Sequence, residues 1–274
     1  MSSFEDTHVH AVYEAIAPHF SATRHSPWPF VKRFLLDQPP ASIGFDIGCG
    51  NGKYLAVNPA LHMLGCDRSS SLVALANQQH GRAGRDSNSK SNSNNDEDTT
   101  SGTNPRPAAL LTADSLALPF RPRSADFIIC IAVIHHFSTP ERRRAAIEAL
   151  LRCLRPGTGR ALIYVWALEQ GSSRRGWDEH SEQDTLVPWV MKRKKPRDKT
   201  PAPDADQHAA GHEDETYQRY YHLYRKGELE QDARHVGGEV CESGYERDNW
   251  WVILRTRSDG DVDVDVDCHL GEMT

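Results

Sequence analysis

Apolar positions along this chain fall into alternating helix-like and strand-like patterns. Val9, Val12, Tyr13, Ile16, Ala17 and Phe20 recur at the spacing of a helix with one apolar face, predicting an N-terminal helix packed on a core. Prolines make residues 21–29 a loop carrying Arg24 and Trp28, and a second helix covers about 30–36. An apolar run then leads into Ile-Gly-Phe-Asp-Ile-Gly-Cys-Gly-Asn-Gly over 43–52. That is the pattern of a buried parallel strand feeding a tight turn before a helix. Residues 61–66 read as a second strand ending in Asp67, and 70–79 as a helix capped by Ser69 or Ser70. A short strand over 108–112 and a strongly apolar one over 125–134 follow, the latter running into His135 and His136. Successive side chains on a strand alternate faces, so only one of these histidines is expected to face a ligand crevice. A helix over 140–154, a strand over 159–168 and a helix ending near Val236 come next. The last two apolar runs, 240–247 and 249–255, are joined so tightly that they must pair antiparallel.

This alternation predicts an α/β fold, a mostly parallel Rossmann-like sheet of seven strands closed by a C-terminal antiparallel hairpin, in a single domain over 1–257. Residues 81–107 are rich in Ser, Asn, Asp and Gly and are expected to be disordered. A second polar insertion spans 192–215 and opens on the basic run Lys-Arg-Lys-Lys-Pro-Arg-Asp-Lys. From 258 to 274 Asp and Val alternate as in a strand, but acidity and terminal position predict a loosely held tail.

Composition sharpens this picture in three ways. Apolar residues make up 38% of the 274 and the mean hydropathy is −0.63, which suits one sizeable core with polar segments outside it. A net charge of −6 excludes a uniformly basic coat, so any RNA must bind a local basic patch. Cys49, Cys66, Cys130, Cys153, Cys241 and Cys268 form no Cys-x-x-Cys pair, which favours reduced thiols in a cytoplasmic protein over a disulfide scaffold or zinc site. No apolar run is long enough to span a bilayer and no signal-peptide core is present. The basic run suits a nuclear signal, an RNA-contacting loop or solubility equally well.

Candidate chemistry centres on the glycine turn. Gly48, Gly50 and Gly52 can adopt angles closed to other residues and let a ligand approach the main chain. A dinucleotide turn needs its third glycine three places after the second, whereas here the spacing is G-x-G-x-G with Asp46 two residues upstream. This pattern resembles the first motif of the methyltransferases that bind S-adenosylmethionine; a nucleotide enzyme or a purely structural turn are the alternatives. Asp46 suits an ammonium and a sulfonium, and would repel a pyrophosphate. Asp67 stands where ribose hydroxyls are held. Arg142, Arg143 and Arg144 open a helix whose dipole they oppose, so they read as held for a partner or substrate, or as a solvated face. Taken alone, Arg24 reads as a solvated arginine and Trp28 as a staple for its loop.

Several segments together resemble the tRNA methyltransferases that esterify 5-carboxymethyluridine at the wobble position, in their stand-alone fungal form. They are residues 9–24 with Pro27, Trp28 and Pro29, then 46–55, 67–69, 131–139, 167–175, 187–189, 220–225 and 246–251. The resemblance implies S-adenosylmethionine as cofactor, with Asp46, Gly48, Gly50, Asp67, Asp114 and Ile131 around it. It implies Arg24 as the clamp on the substrate carboxylate, with His136 orienting the acceptor and His135 nearby, turned toward the core. Arg174, Arg175, Arg225, Asn249 and Trp250 are the implied tRNA contacts, beside Arg142–Arg144 and the basic run; Tyr221 is a further aromatic that could stack on a base. It also implies a small zinc-binding activator subunit on an exposed sheet edge, over 108–112, with any zinc in that partner.

Overall fold

The apolar run that enters the glycine turn forms β1 (Ile43–Ile47), and the strand after it forms β2 (His62–Asp67), in the computed structural model, which describes residues 3–24, 26–80, 108–170, 176–191 and 214–258. Five parallel strands build most of the sheet: β3 (Ala109–Thr112), β2, β1, β4 (Phe127–Ile131) and β5 (Arg160–Trp166), in that order. β9 (Asn249–Arg255) adds antiparallel to β5, and β8 (Glu239–Glu246) pairs antiparallel with β9 at the far edge. The predicted seven-stranded sheet is thus present, with β3 at one edge.

Alternating side chains of the central strands feed two apolar layers. Phe45, Ile47, Ile128, Cys130, Ile163 and Val165 face α5 (Pro140–Cys153) and α6 (Glu228–His235). Phe127, Ile129, Ile131, Leu162 and Tyr164 face α3 (Pro29–Leu36). The N-terminal helix is continuous but irregular: α1 (Ser3–Glu5), a π-helical stretch (Asp6–His10) and α2 (Ala11–Thr23). α4 (Ser70–His80) follows β2, its first turn capped by Ser69, whose hydroxyl accepts the Leu72 N–H at 3.1 Å.

Three expectations are corrected. The apolar run over 125–134 is not one strand: β4 stops at Ile131, Ala132 takes a φ of 62°, and Ile134–His136 forms a 3₁₀ turn. Strand alternation therefore does not separate the two histidines. Arg142, Arg143 and Arg144 are occupied by intramolecular acids. Arg142 forks onto both oxygens of Glu5 at 2.7–3.1 Å, Arg143 is buried against the Phe137 carbonyl and Glu228, and Arg144 meets Asp232 at 2.8 Å. The unfavourable helix dipole is offset by carboxylates from α1 and α6, so the run is structural. The third correction is an added sheet: β6 (Asp184–Met191) pairs antiparallel with β7 (Glu215–His222). Pro188 hides β6 from periodicity, and it is tolerated because both strands of a two-stranded ribbon are edges.

Candidate active site

A cavity of about 690 Å³ opens at the carboxyl ends of β1, β2 and β4, where the strand order reverses between β1 and β4. Open α/β sheets bind ligands at this switch point. Its floor is the glycine turn. Gly48 and Cys49 donate their N–H groups to the Cys66 carbonyl at 2.8 and 2.9 Å, and Gly50 donates to Asp67 Oδ2 at 2.9 Å. Gly48 has φ 72°, and a Cβ there would meet Val133 Cγ2 at 2.3 Å. Gly50 has φ 55° but open space, its nearest obstacle being Phe20 Cε1 at 3.6 Å.

The acids above this floor have distinct states. Asp46 is buried and its Oδ2 has no hydrogen-bond partner among the described residues. Burial pushes its carboxyl up to about 7; Lys53 opposes this and Asp67 adds to it. Burial in turn brings the Lys53 ammonium down to about 8, against the pull of Asp46. Asp67 accepts from Gly50 and, through Oδ1, from the Ser69 N–H at 2.9 Å, which leaves lone pairs toward the cavity. Asp114 accepts from Arg68 at 2.6 Å and from the Leu116 N–H at 2.9 Å. Asp46, Gly48, Gly50, Asp67, Asp114 and Ile131 all line this one cavity.

The N-terminal helix forms the opposite wall. Glu14 accepts from the hydroxyls of Ser69, Ser70 and Ser71 at 2.5–2.8 Å, tying α2 to the start of α4. Asn51, buried in the glycine turn, reaches the Ser21 and Arg24 carbonyls at 3.4 and 3.2 Å. The loop that carries Arg24 is thereby pinned to the cavity floor. Arg24 itself is exposed at the rim, its guanidinium carbon 5.8 Å from the ring centres of Phe20 and Trp189.

Both histidines line the cavity, and their hydrogen bonds fix their tautomers. His136 Nδ1 lies 2.8 Å from the Tyr220 carbonyl, which can only accept, so Nδ1 carries the proton. Its Nε2 then accepts from the Tyr13 hydroxyl at 3.0 Å, and Tyr13 accepts from Tyr221 at 3.2 Å. Burial takes His136 down to about 3, with the Tyr220 carbonyl opposing and Arg219 assisting. His136 is therefore neutral and fully engaged by the protein. His135 is the reverse. Its Nδ1 accepts the Trp166 N–H at 3.0 Å, so Nε2 carries the proton, and that N–H is buried with no partner among the described residues. The histidine expected to orient the acceptor is thus engaged in structure, and the one expected in the core keeps a free donor.

Tyr221 stacks on Trp166 at 4.2 Å and meets both histidine rings, at 4.9 and 4.5 Å. Asn249 and Trp250 do not line the cavity. Asn249 holds the β8–β9 turn through the Glu246 and Arg247 carbonyls, and the Trp250 indole donates to Glu169 at 3.1 Å. Arg225 is exposed and borders a separate depression with Arg143 and Arg144. Arg174, Arg175 and the basic run at 192–199 lie outside the described residues. Sequence reasoning missed Tyr13, Glu14, Asn51, Lys53 and Arg219. Only the alternation of Tyr217, Arg219 and Tyr221, one face of a strand, signalled the last of these.

The donor set fits S-adenosylmethionine: an unpaired buried carboxylate oxygen for its cationic end, Asp67 for its diol and a turn that admits a close backbone approach. Residues 45–162 match the methyltransferase domain family. The chain is 42% identical to the tRNA (carboxymethyluridine(34)-5-O)-methyltransferase of Saccharomyces cerevisiae, covering 92% of this chain and 97% of that one. It is 44% identical to the Schizosaccharomyces pombe protein of the same name, covering 91% and 96%. The chain belongs to the tRNA (carboxymethyluridine(34)-5-O)-methyltransferase family. Its fold is that of S-adenosylmethionine-dependent methyltransferases. A Methanosarcina mazei enzyme of that class aligns with a TM-score of 0.55 at 16% identity, over 85% of this chain and all of that one. A Haloferax volcanii methyltransferase solved with the Trm112 methyltransferase activator aligns with a TM-score of 0.53 at 16% identity, over 89% and 97%. S-adenosylmethionine is the cofactor of this methyltransferase family member.

Proposed function

We propose that this chain methylates the carboxylate of 5-carboxymethyluridine at the wobble position of tRNA, giving 5-methoxycarbonylmethyluridine. The observation that carries the reading is that one cavity joins the glycine turn and Asp46 to an arginine, Arg24, at its rim. When bound, S-adenosylmethionine supplies an electrophilic methyl, whose S–C bond breaks as the carboxylate O–C bond forms, the electron pair leaving on sulfur.

A carboxylic acid with a pKa of about 4 is ionised at neutral pH, so no general base is required. The neutral, saturated state of His136 agrees with that: the protein has no proton to remove. Its residues hold the acceptor in line and exclude water. Arg24 attracts the anion as it enters, since a guanidinium forks onto a carboxylate and keeps its charge.

The free edge β3 suits strand addition by a zinc-binding activator subunit. Among the described residues it pairs only with β2, and it exposes Leu111. Slowed amide exchange over 108–112 on adding the activator tests this, and unchanged exchange there rejects it.

The activity is tested by mass spectrometry of wobble nucleosides in tRNA from cells lacking the esterifying enzyme, before and after incubation with protein, activator and labelled cofactor. Appearance of the labelled ester is the expected result. Label on a small carboxylic acid, with tRNA unchanged, would move the substrate to metabolites.

A further inference from the structure

Among the described residues the cavity has unmet polar groups on two sides. The Asp46 Oδ2 acceptor and the Tyr54 hydroxyl lie on the glycine-turn side, whereas toward β7 both unmet groups are donors, His135 Nε2–H and Arg219 Nε–H. Arg219 is only 3% exposed, projects from β7 opposite Val187, and makes neither an ion pair nor a side-chain hydrogen bond among the described residues. Its guanidinium carbon lies 4.6 Å from the Trp189 ring centre and 5.3 Å from that of Tyr221. His135 packs 4.9 Å from the same Tyr221 ring. A cation this deep without an acid costs stability, and two donors beside one aromatic wall have the same unmet requirement. One negatively charged oxygen pair would satisfy both.

We propose that Arg219 and the His135 Nε2–H form the buried receptor for the substrate carboxylate and select the acid over its neutral amide, while Arg24 guards the entrance. This rests on the reading of the acceptor as a carboxymethyl group. A carboxylate accepts from both donors, whereas an amide turns its own N–H toward one of them and leaves a guanidinium unneutralised. Arg219 also assists burial in keeping both histidines unprotonated, so His135 donates as a neutral ring. Trp189 joins the two arginines, with one guanidinium packed 5.8 Å and the other 4.6 Å from its ring centre.

The test compares two anticodon stem-loops, one with carboxymethyluridine and one with carbamoylmethyluridine at the wobble position, bound to the protein–activator complex with S-adenosylhomocysteine. The unaltered complex should prefer the acid by about 10- to 100-fold, the worth of a charge-assisted hydrogen bond. Arg219→Met should erase that preference while amide affinity and cofactor affinity stay within about twofold, and Arg219→Lys should retain part of it. His135→Phe should reduce it about tenfold. A preference undiminished in Arg219→Met overturns the proposal. Should that variant not bind cofactor, Arg219→Gln carries the same comparison, and unchanged selectivity there is equally decisive. If the unaltered complex, given S-adenosylmethionine instead, esterifies no carboxymethyluridine at all, the substrate reading fails; if it does so and the variants discriminate as well as it does, only the receptor fails.

Discussion

The Tyr13 hydroxyl, on the N-terminal helix, points its proton at His136 Nε2 from 3.0 Å, 123 residues away in sequence. It closes a chain from Tyr221 through Tyr13 and His136 to the Tyr220 carbonyl, in which each of the three side chains donates once. Tyr13→Phe leaves one buried acceptor and one buried donor unpaired, a cost of about 1–3 kcal/mol that thermal unfolding should show. Because His136 lies near 3, it should contribute no limb to the rate profile between pH 5 and 9. Ring ¹⁵N shifts checked against pH should report one Nδ1–H tautomer throughout.

Asp46 should impose a pH dependence on cofactor binding. Its carboxyl is raised to about 7, so below that value it is increasingly protonated and cannot pair with a cation. A bound cation favours the charged form, so binding near pH 6.5 should release protons, and affinity should climb as pH rises through 7. Calorimetry in buffers of different ionisation enthalpy measures this, and Asp46→Asn should flatten the difference while weakening binding.

Two glycines of the turn should respond unequally to a methyl group. Gly50→Ala meets open space and bears only the strain of φ 55°, about 1–2 kcal/mol. Gly48→Ala adds a 2.3 Å collision with Val133 to comparable strain and should lose measurable cofactor binding. Adding Val133→Ala should restore part of it, which titration of the double variant checks.

Arg142 offers a direct test of the corrected arginine run. Glu5 is 1% exposed and also accepts the Ser138 N–H and hydroxyl at 2.7 and 2.8 Å, so Glu5→Gln should cost about 1–3 kcal/mol in unfolding. Arg142→Ala should lower the melting temperature as well. The slope of log tRNA affinity against log salt should not change, whereas loss of a phosphate contact would reduce it by about one.

Most of the sheet and part of the cavity floor were legible in sequence, because both depend on local signals. Apolar runs of strand length, a glycine turn and the acids that end those runs place Asp46 and Asp67 without knowledge of packing, and Asp114 came only from the family resemblance. The acceptor side was harder to read. Ala132 in a left-handed conformation breaks the run before the histidines, and no propensity announces that an alanine will take it. Which histidine is free depends on backbone groups at Trp166 and Tyr220, both distant in sequence. Arg219 sits on a strand whose partner contains Pro188, so the alternation of Tyr217, Arg219 and Tyr221 had no matching strand signal to pair with. The arginine run was misread because its counter-ions, Glu5, Glu228 and Asp232, come from the two ends of the chain.

The ribbon of β6 and β7 separates what must stay fixed from what can vary. Its outermost rung joins Met191 to Glu215, while Arg219 is paired four rungs further in, with Val187. A change at that outer rung therefore has four rungs of paired backbone in which to die away before it reaches Arg219.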